Sequence, residues 1–234
     1  MDVIDQWSRV TSPAVIFDFN GTLSDDEPIL LDIFSEVFST QLGWAMTPEE
    51  YRLELLGRSD REIVDYAVHH HGRAGGPAVD ELLAVRHAQY RQRVALESPI
   101  TDAAVALVEV LALHAIPLAI VTGAFRDEVL AVLHHSPVGP LFPHLVAAED
   151  VRHGKPHPEG YLRGARQLNR DPGDVLVFED SVPGVQAALA AGMHCIAVSP
   201  DPTPALCRVA PAIVEKLTPE LVAGALSERA GILE

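Results

Sequence analysis

Apolar residues recur along this chain in short unbroken runs, separated by stretches with helical spacing. Ala14-Val15-Ile16-Phe17 has no polar alternation and ends on Asp18, the pattern of a strand buried on both faces. Runs of the same kind predict strands at Pro117–Val121, Val175–Phe178 and Cys195–Val198, with weaker candidates at Leu145-Val146 and Ile213-Val214. Helical spacing fills 102–114, 125–134, 158–168 and 182–191. Strand and helix in alternation imply βαβ units, hence a doubly wound α/β core on a parallel sheet.

Residues 24–100 break this rhythm and read as all-helical. Pro28 opens a helix with Ile29, Ile33 and Val37 on one face and Leu30, Phe34 and Phe38 beside it, and Gly43 stops it. Thr47-Pro48-Glu49-Glu50 and Ser59-Asp60-Arg61-Glu62 both have the capping-box spacing that starts a helix. Gly72 closes the second, 72–77 is a Gly- and Pro-rich loop, and 78–96 predicts one more helix. A helical module is therefore inserted just after the first strand. The joins near 23–26 and 98–101 are candidate hinges.

Composition narrows the chemistry. The chain has 234 residues, 48% hydrophobic and 21% charged, with a net charge of −16. A globular protein this acidic is a poor nucleic-acid binder, and no apolar run approaches a membrane span. The opening MDVIDQWSRVTS lacks the basic end and apolar stretch of a signal peptide, and two cysteines, Cys195 and Cys207, are too few for a disulfide framework. The expectation is a reduced, cytoplasmic enzyme or small-molecule binder. In His69-His70-His71, adjacent helical positions do not converge, so zinc is not expected there.

Ligands of open parallel sheets bind beyond the carboxyl ends of the strands. Asp18, Asn20, Gly21 and Thr22 follow the first run, Thr122 and Gly123 the second, and Glu179, Asp180 and Ser181 a later one; Lys155 precedes a helix start. Clustered carboxylates repel unless a cation sits among them. Asp18, Glu179 and Asp180 offer hard oxygen ligands suited to Mg²⁺ held with a substrate phosphate. Lys155 adds a point charge for phosphate, Thr122 a hydroxyl, and Gly123 open backbone. A carboxylate beside such a group can attack phosphorus, and Asp18 is the obvious nucleophile. The bland alternatives are helix caps, Asp18, Glu179 and Asp180 before their helices; Thr122 is expected to cap the helix at 125 and to serve the phosphate as well.

Phe17-Asp18-Phe19-Asn20-Gly21-Thr22-Leu23 resembles the first motif of the haloacid dehalogenase superfamily, usually Asp-x-Asp-Gly-Thr. Thr122-Gly123 resembles its second motif, Gly154-Lys155-Pro156 its third, and Phe178-Glu179-Asp180-Ser181 with Gly184 its fourth, in order over 14–198. The resemblance implies a Rossmann-like core over 1–23 and 101–234 and a helical cap over 24–100, as in the β-phosphoglucomutase-like and phosphoglycolate phosphatase-like branch. It implies a Mg²⁺-dependent hydrolase of a small phosphorylated metabolite. A phosphosugar mutase or a non-catalytic phospho-ligand binder are the alternatives. By resemblance Asp18 is nucleophile and metal ligand, and Asp180 with Glu179 completes the metal site. The backbone carbonyl of Asn20 contributes a further metal contact. Thr22, Thr122, Gly123 and Lys155 form the phosphate-binding set. Leu56-Gly57-Arg58-Ser59-Asp60-Arg61 resembles the cap's substrate loop, which nominates Arg58 and Arg61 against their plainer reading as solvated charges.

The family's acid/base aspartate is here Asn20, which donates hydrogen bonds but exchanges no proton near neutral pH. Four accounts stand open. The substrate has a good leaving group or another base serves; the protein binds without turnover; the residue was introduced to trap a complex; or Asn20-Gly21 deamidates to a carboxylate. A Schiff-base route has no candidate, because the only lysines are Lys155 and Lys216, outside 24–100.

Overall fold

The computed structural model describes residues 3–56 and 58–232. In chain order, α1 (Val3–Ser8) and β1 (Ala14–Phe17) come first. Then come α2 (Glu27–Leu42), α3 (Pro48–Glu50), a π-helical turn over Tyr51–Leu55, α4 (Asp60–His71) and α5 (Val79–Val94). The remainder alternates: α6 (Asp102–Leu113), β2 (Leu118–Val121), α7 (Arg126–His134), β3 (His144–Val146), α8 (Glu159–Gln167), β4 (Val175–Glu179), α9 (Val182–Ala190), β5 (His194–Val198), α10 (Pro204–Val209), β6 (Ile213–Val214) and α11 (Glu220–Ile232). The chain divides into two compact units, residues 1–25 with 99–234, and residues 26–98.

The first unit is a six-stranded sheet in the order β3-β2-β1-β4-β5-β6, parallel throughout, an α/β Rossmann-like fold. Successive strand residues face opposite ways, and in β1 both faces are buried. Ala14 and Ile16 join Val121, Tyr161, Ala165, Val177 and Val185 in one core. Phe17 lies on the other face, stacked on Phe178 at 5.3 Å and edge-on to Phe142 at 5.9 Å. This explains why the strands read as unbroken apolar runs. Because β2 and β4 flank β1, the strand order reverses there, and β1 stands at the switch point of the sheet. The insert leaves and rejoins this unit at neighbouring points, with the Asp25 amide donating to the Pro99 carbonyl at 2.9 Å.

The second unit is all-helical. Pro28 occupies the first turn of α2, and Gly43 ends it at φ 71°, in the left-handed region. Ile33, Phe34, Val37 and Phe38 are fully or nearly fully buried. Thr47 and Ser59 both form the expected capping boxes, but α3 runs only three residues before widening into the π turn. Arg86 of α5 is buried, ion-paired to Asp60 at 2.9 Å and lying over the Tyr90 ring at 4.8 Å. The rings of His69, His70 and His71 splay: His70 stacks on Tyr66 and His71 on Trp44.

Candidate active site

The backbone beyond β1 builds the first wall. The Asp18 amide donates to the Phe178 carbonyl at 2.9 Å, carrying the ladder one residue past the strand. A tight turn follows: the Ser24 amide donates to the Phe19 carbonyl at 2.9 Å and the Gly21 amide to the Ser24 carbonyl at 2.8 Å. Gly21 sits at φ +74°, and a Cβ there would lie 2.5 Å from Asp180 Oδ2. Glycine is required twice over, for backbone conformation and for space. The Thr22 hydroxyl donates to Asp180 Oδ1 at 3.2 Å. Asn20 lies in the same turn, half-buried and bridged through its backbone to Ser24.

Lys155, in the loop between β3 and α8, is the cationic centre. Its Nζ donates to Asp18 Oδ1 and, at 2.5 Å, to Glu179 Oε1, and it lies 5.3 Å from the centre of the Tyr161 ring. Glu179 is fully buried, and a buried carboxylate must be paired and hydrogen-bonded. Its Oε1 also accepts from the Tyr161 hydroxyl at 3.2 Å, and its Oε2 from the Ser181 amide and hydroxyl at 2.7 and 2.9 Å. The carboxylate is packed against Gly184 in the first turn of α9, where a Cβ would lie 1.6 Å from Oε1.

One ammonium faces three carboxylates. Burial pushes the Asp18 carboxyl up to about 7, with Glu179 adding to the rise and Lys155 opposing it. Burial also holds Asp180 well above the usual carboxylate range, reinforced by Glu179 and Asp18. Burial works against the charge of Lys155, but Asp18 and Glu179 hold its ammonium above the usual lysine range. Asp18, Glu179 and Asp180 each offer an oxygen within 4.8 Å of the others. An all-oxygen set with surplus negative charge fits a hard cation such as Mg²⁺.

Thr122 emerges from the same edge, since β2 pairs in parallel with β1 and places Ile120 opposite Phe17. The expected helix-cap role fails: Phe125 occupies the cap position of α7. The Thr122 hydroxyl instead accepts from the Ala124 amide at 3.0 Å, turning the chain two residues on. Gly123 is exposed, and a Cβ there would meet no atom of the chain within 4 Å. Ser181, not Glu179 or Asp180, caps α9, its hydroxyl accepting from the Gly184 amide at 3.1 Å.

Arg58 and Arg61 belong to the helical unit and have partners within it: Arg58 lies over the Tyr66 ring at 5.2 Å, and Arg61 pairs with Asp80 at 2.6 Å on an exposed surface. Gly57, between Leu56 and Arg58 in the nominated loop, lies outside the described residues. The structure thus gathers Asp18, Thr22, Lys155, Glu179 and Asp180 from distant segments. It adds Tyr161, which sequence reasoning missed; its only signal is an aromatic residue six positions after the lysine, in a segment already read as helix.

The chain matches the profile of the family described as haloacid dehalogenase-like hydrolase over residues 15–198. It is 32% identical over 197 residues to (DL)-glycerol-3-phosphatase 2 of Arabidopsis thaliana, covering 80% of this chain and 79% of that protein. It is 32% identical over 200 residues to hexitol phosphatase A of Escherichia coli, covering 83% and 87%. Among solved structures, a CbbY mutant from Rhodobacter sphaeroides in complex with xylulose-(1,5)bisphosphate superposes with a TM-score of 0.73 at 26% identity, covering 92% of this chain and 99% of that one.

Proposed function

The chain belongs to the haloacid dehalogenase-like hydrolases, and from that premise we propose that it hydrolyses small phosphomonoesters, of the sugar phosphate or phosphoglycolate class, through an aspartyl phosphate on Asp18. The observation that carries this reading is the Asp18–Lys155–Glu179 arrangement beside Asp180 at the switch point of the sheet. The phosphatase relatives support the reaction class.

Asp18 attacks phosphorus; its oxygen gains the P–O bond as the ester oxygen departs with its electron pair. Water then attacks the same phosphorus and the bond to Asp18 breaks, releasing phosphate and restoring the carboxylate, while the proton the water loses passes through solvent to the departed alkoxide. Lys155 holds the phosphoryl oxygens and offsets their charge. The Thr122 hydroxyl accepts from Ala124, which leaves its own proton free for a phosphoryl oxygen. Asp18, Asp180, Glu179 and the backbone carbonyl of Asn20 would hold Mg²⁺. When bound, that ion neutralises charge on the phosphoryl group and its carboxylates. Glu179 keeps Lys155 and Ser181 in position, and Tyr161 keeps Glu179 in position. Choice of substrate is assigned to the helical insert, through Arg58 and Arg61.

Asn20 cannot protonate the leaving alcohol, so substrates with poor leaving groups lose on the order of 10²- to 10⁴-fold in rate. The test is Mg²⁺-supplemented turnover of acetyl phosphate, p-nitrophenyl phosphate and a panel of sugar phosphates. Acetyl phosphate, whose leaving group needs least acid help, is expected to be hydrolysed fastest. Asn20→Asp should raise turnover of the sugar phosphates by about 100-fold, and Asp18→Asn should abolish all turnover. Full activity in Asp18→Asn overturns the mechanism. Asn20 also favours a second reading, a phospho-ligand binder. Its signature is no turnover of any substrate together with thermal stabilisation by a sugar phosphate.

A further inference from the structure

The loop that carries Lys155 has an outer side that the reaction does not use. His153 and His157 flank the lysine at two residues on either side, and Glu159 follows as the first residue of α8. These three each offer a ligand atom within 4.8 Å of the other two. The two imidazole rings lie 4.7 Å apart, centroid to centroid. Both histidines are exposed, whereas the Lys155 side chain is largely buried.

Glu159 is already fixed for such a role. One of its oxygens accepts from the Arg152 amide at 3.0 Å, the other from the His153 amide at 3.2 Å and from His153 Nδ1 at 3.0 Å. The Arg152 amide first, then the His153 ring, keep this carboxyl below the usual range, so it stays ionised. The Glu159 amide in turn donates to His157 Nδ1 at 3.2 Å, so the lone pair of that nitrogen is engaged as the ring stands, and the exposed ring has to turn off the amide to present it to a metal. Ligand atoms on a tetrahedral zinc ion lie about 3.4 Å apart, given Zn–N bonds of about 2.1 Å. The three groups need to draw in by roughly 1 Å, which rotation of two exposed rings supplies.

We propose that His153, His157 and Glu159 form a second cation site, selective for imidazole-seeking divalent ions such as zinc, that clasps the outside of the lysine loop. Two imidazoles and one carboxylate favour Zn²⁺, Ni²⁺ or Cu²⁺ over Mg²⁺. The donor set therefore separates this site from the all-oxygen cluster around Asp18. Occupancy joins both ends of the segment 153–159 to one ion and restrains Lys155 between them. The site stands independently of the phosphatase reading.

The experiment is calorimetric titration of the full chain with Zn²⁺ in excess Mg²⁺, comparing wild type, His153→Gln/His157→Gln and Asp180→Asn. Wild type and Asp180→Asn are expected to bind one more equivalent of Zn²⁺ than the double variant. Losing even a partner of a metal ligand costs about 10- to 100-fold in affinity, so losing two ligands should weaken binding by at least that much. Cu²⁺ loaded in place of Zn²⁺ should show nitrogen hyperfine coupling that the double variant lacks. Hydrogen exchange across 151–158 should slow on loading in wild type alone. Melting in chelator checks that the double variant is folded; if it is not, His157→Gln alone replaces it. Equal zinc binding by the histidine variant, or loss of binding in Asp180→Asn only, overturns the proposal.

Discussion

Gly21 concentrates the demands of the site in one residue. Its left-handed backbone turns the chain after Asn20, and its missing side chain lets Asp180 close against that turn. Gly21→Ala therefore meets two penalties: about 1–2 kcal/mol for the left-handed conformation, and displacement of the Asp180 carboxylate. Urea unfolding should register the first. Loss of Mg²⁺ binding and a fall in turnover of more than about 10-fold, one decade per 1.4 kcal/mol of transition-state stabilisation, should register the second. Unchanged metal binding would show that Asp180 relocates without consequence. Asp18, Lys155 and Asp180 were legible in the sequence because each stands where an apolar run stops or a helix starts. Tyr161 was not, because a buried tyrosine inside a helix looks the same whether or not its hydroxyl finds a carboxylate. The pair His153 and His157 went unread for a related reason: the lysine between them absorbed the meaning of the segment.

Helix α9 shows how an element and the site share parts. Ser181 caps the helix through the Gly184 amide and gives both its own amide and its hydroxyl to Glu179. Ser181→Ala is expected to cost about 1 kcal/mol as a lost cap. It should also remove one of the two hydrogen bonds to Glu179 Oε2, leaving the backbone amide's in place, so turnover should fall while the sugar phosphate concentration at half-saturation stays constant. A change in stability alone would confine Ser181 to the helix. Strands β1, β2, β4 and β5 were legible from their apolar runs, since a doubly covered sheet leaves no polar alternation to confuse them. Helix α1 was not. Six residues carry no periodicity, and its place depends on a tertiary contact, the Trp7 indole donating to the Ala14 carbonyl at 3.1 Å. Helix α11 contains Gly224 and Gly231, which dilute a helical pattern that packing nevertheless enforces. Thr47 announced a helix start correctly, but a capping box says nothing about length, and the π turn ends α3 early.

At the scale of the molecule, surplus acid at one edge of the sheet links stability to pH. Asp18 rises from 3.8 to about 7, and Asp180 rises as well. A raised carboxyl binds its proton more tightly in the folded chain than in the unfolded one. Its contribution is therefore full below pH 3.8 and is lost as pH climbs through about 7. A divalent cation must displace those protons, so the stabilisation it confers should grow across the same window. Melts in chelator and in Mg²⁺, at pH 5.5 and pH 8, should show the larger Mg²⁺-induced rise at pH 8. Equal rises at both would mean that Asp18 is ionised throughout. No helix among the described residues is long and apolar enough to cross a membrane.

The hydrogen bond between the Asp25 amide and the Pro99 carbonyl has an architectural consequence. To the sheet, residues 25 and 99 are next-door neighbours, so the seventy-odd residues between them add little to the entropy of pairing β1 with β2. An excursion with its own buried interior, entered and left through one doorway, can be lengthened, shortened or exchanged for another without resetting a single strand register. Such a layout lets one sheet carry inserts of many different lengths and interiors.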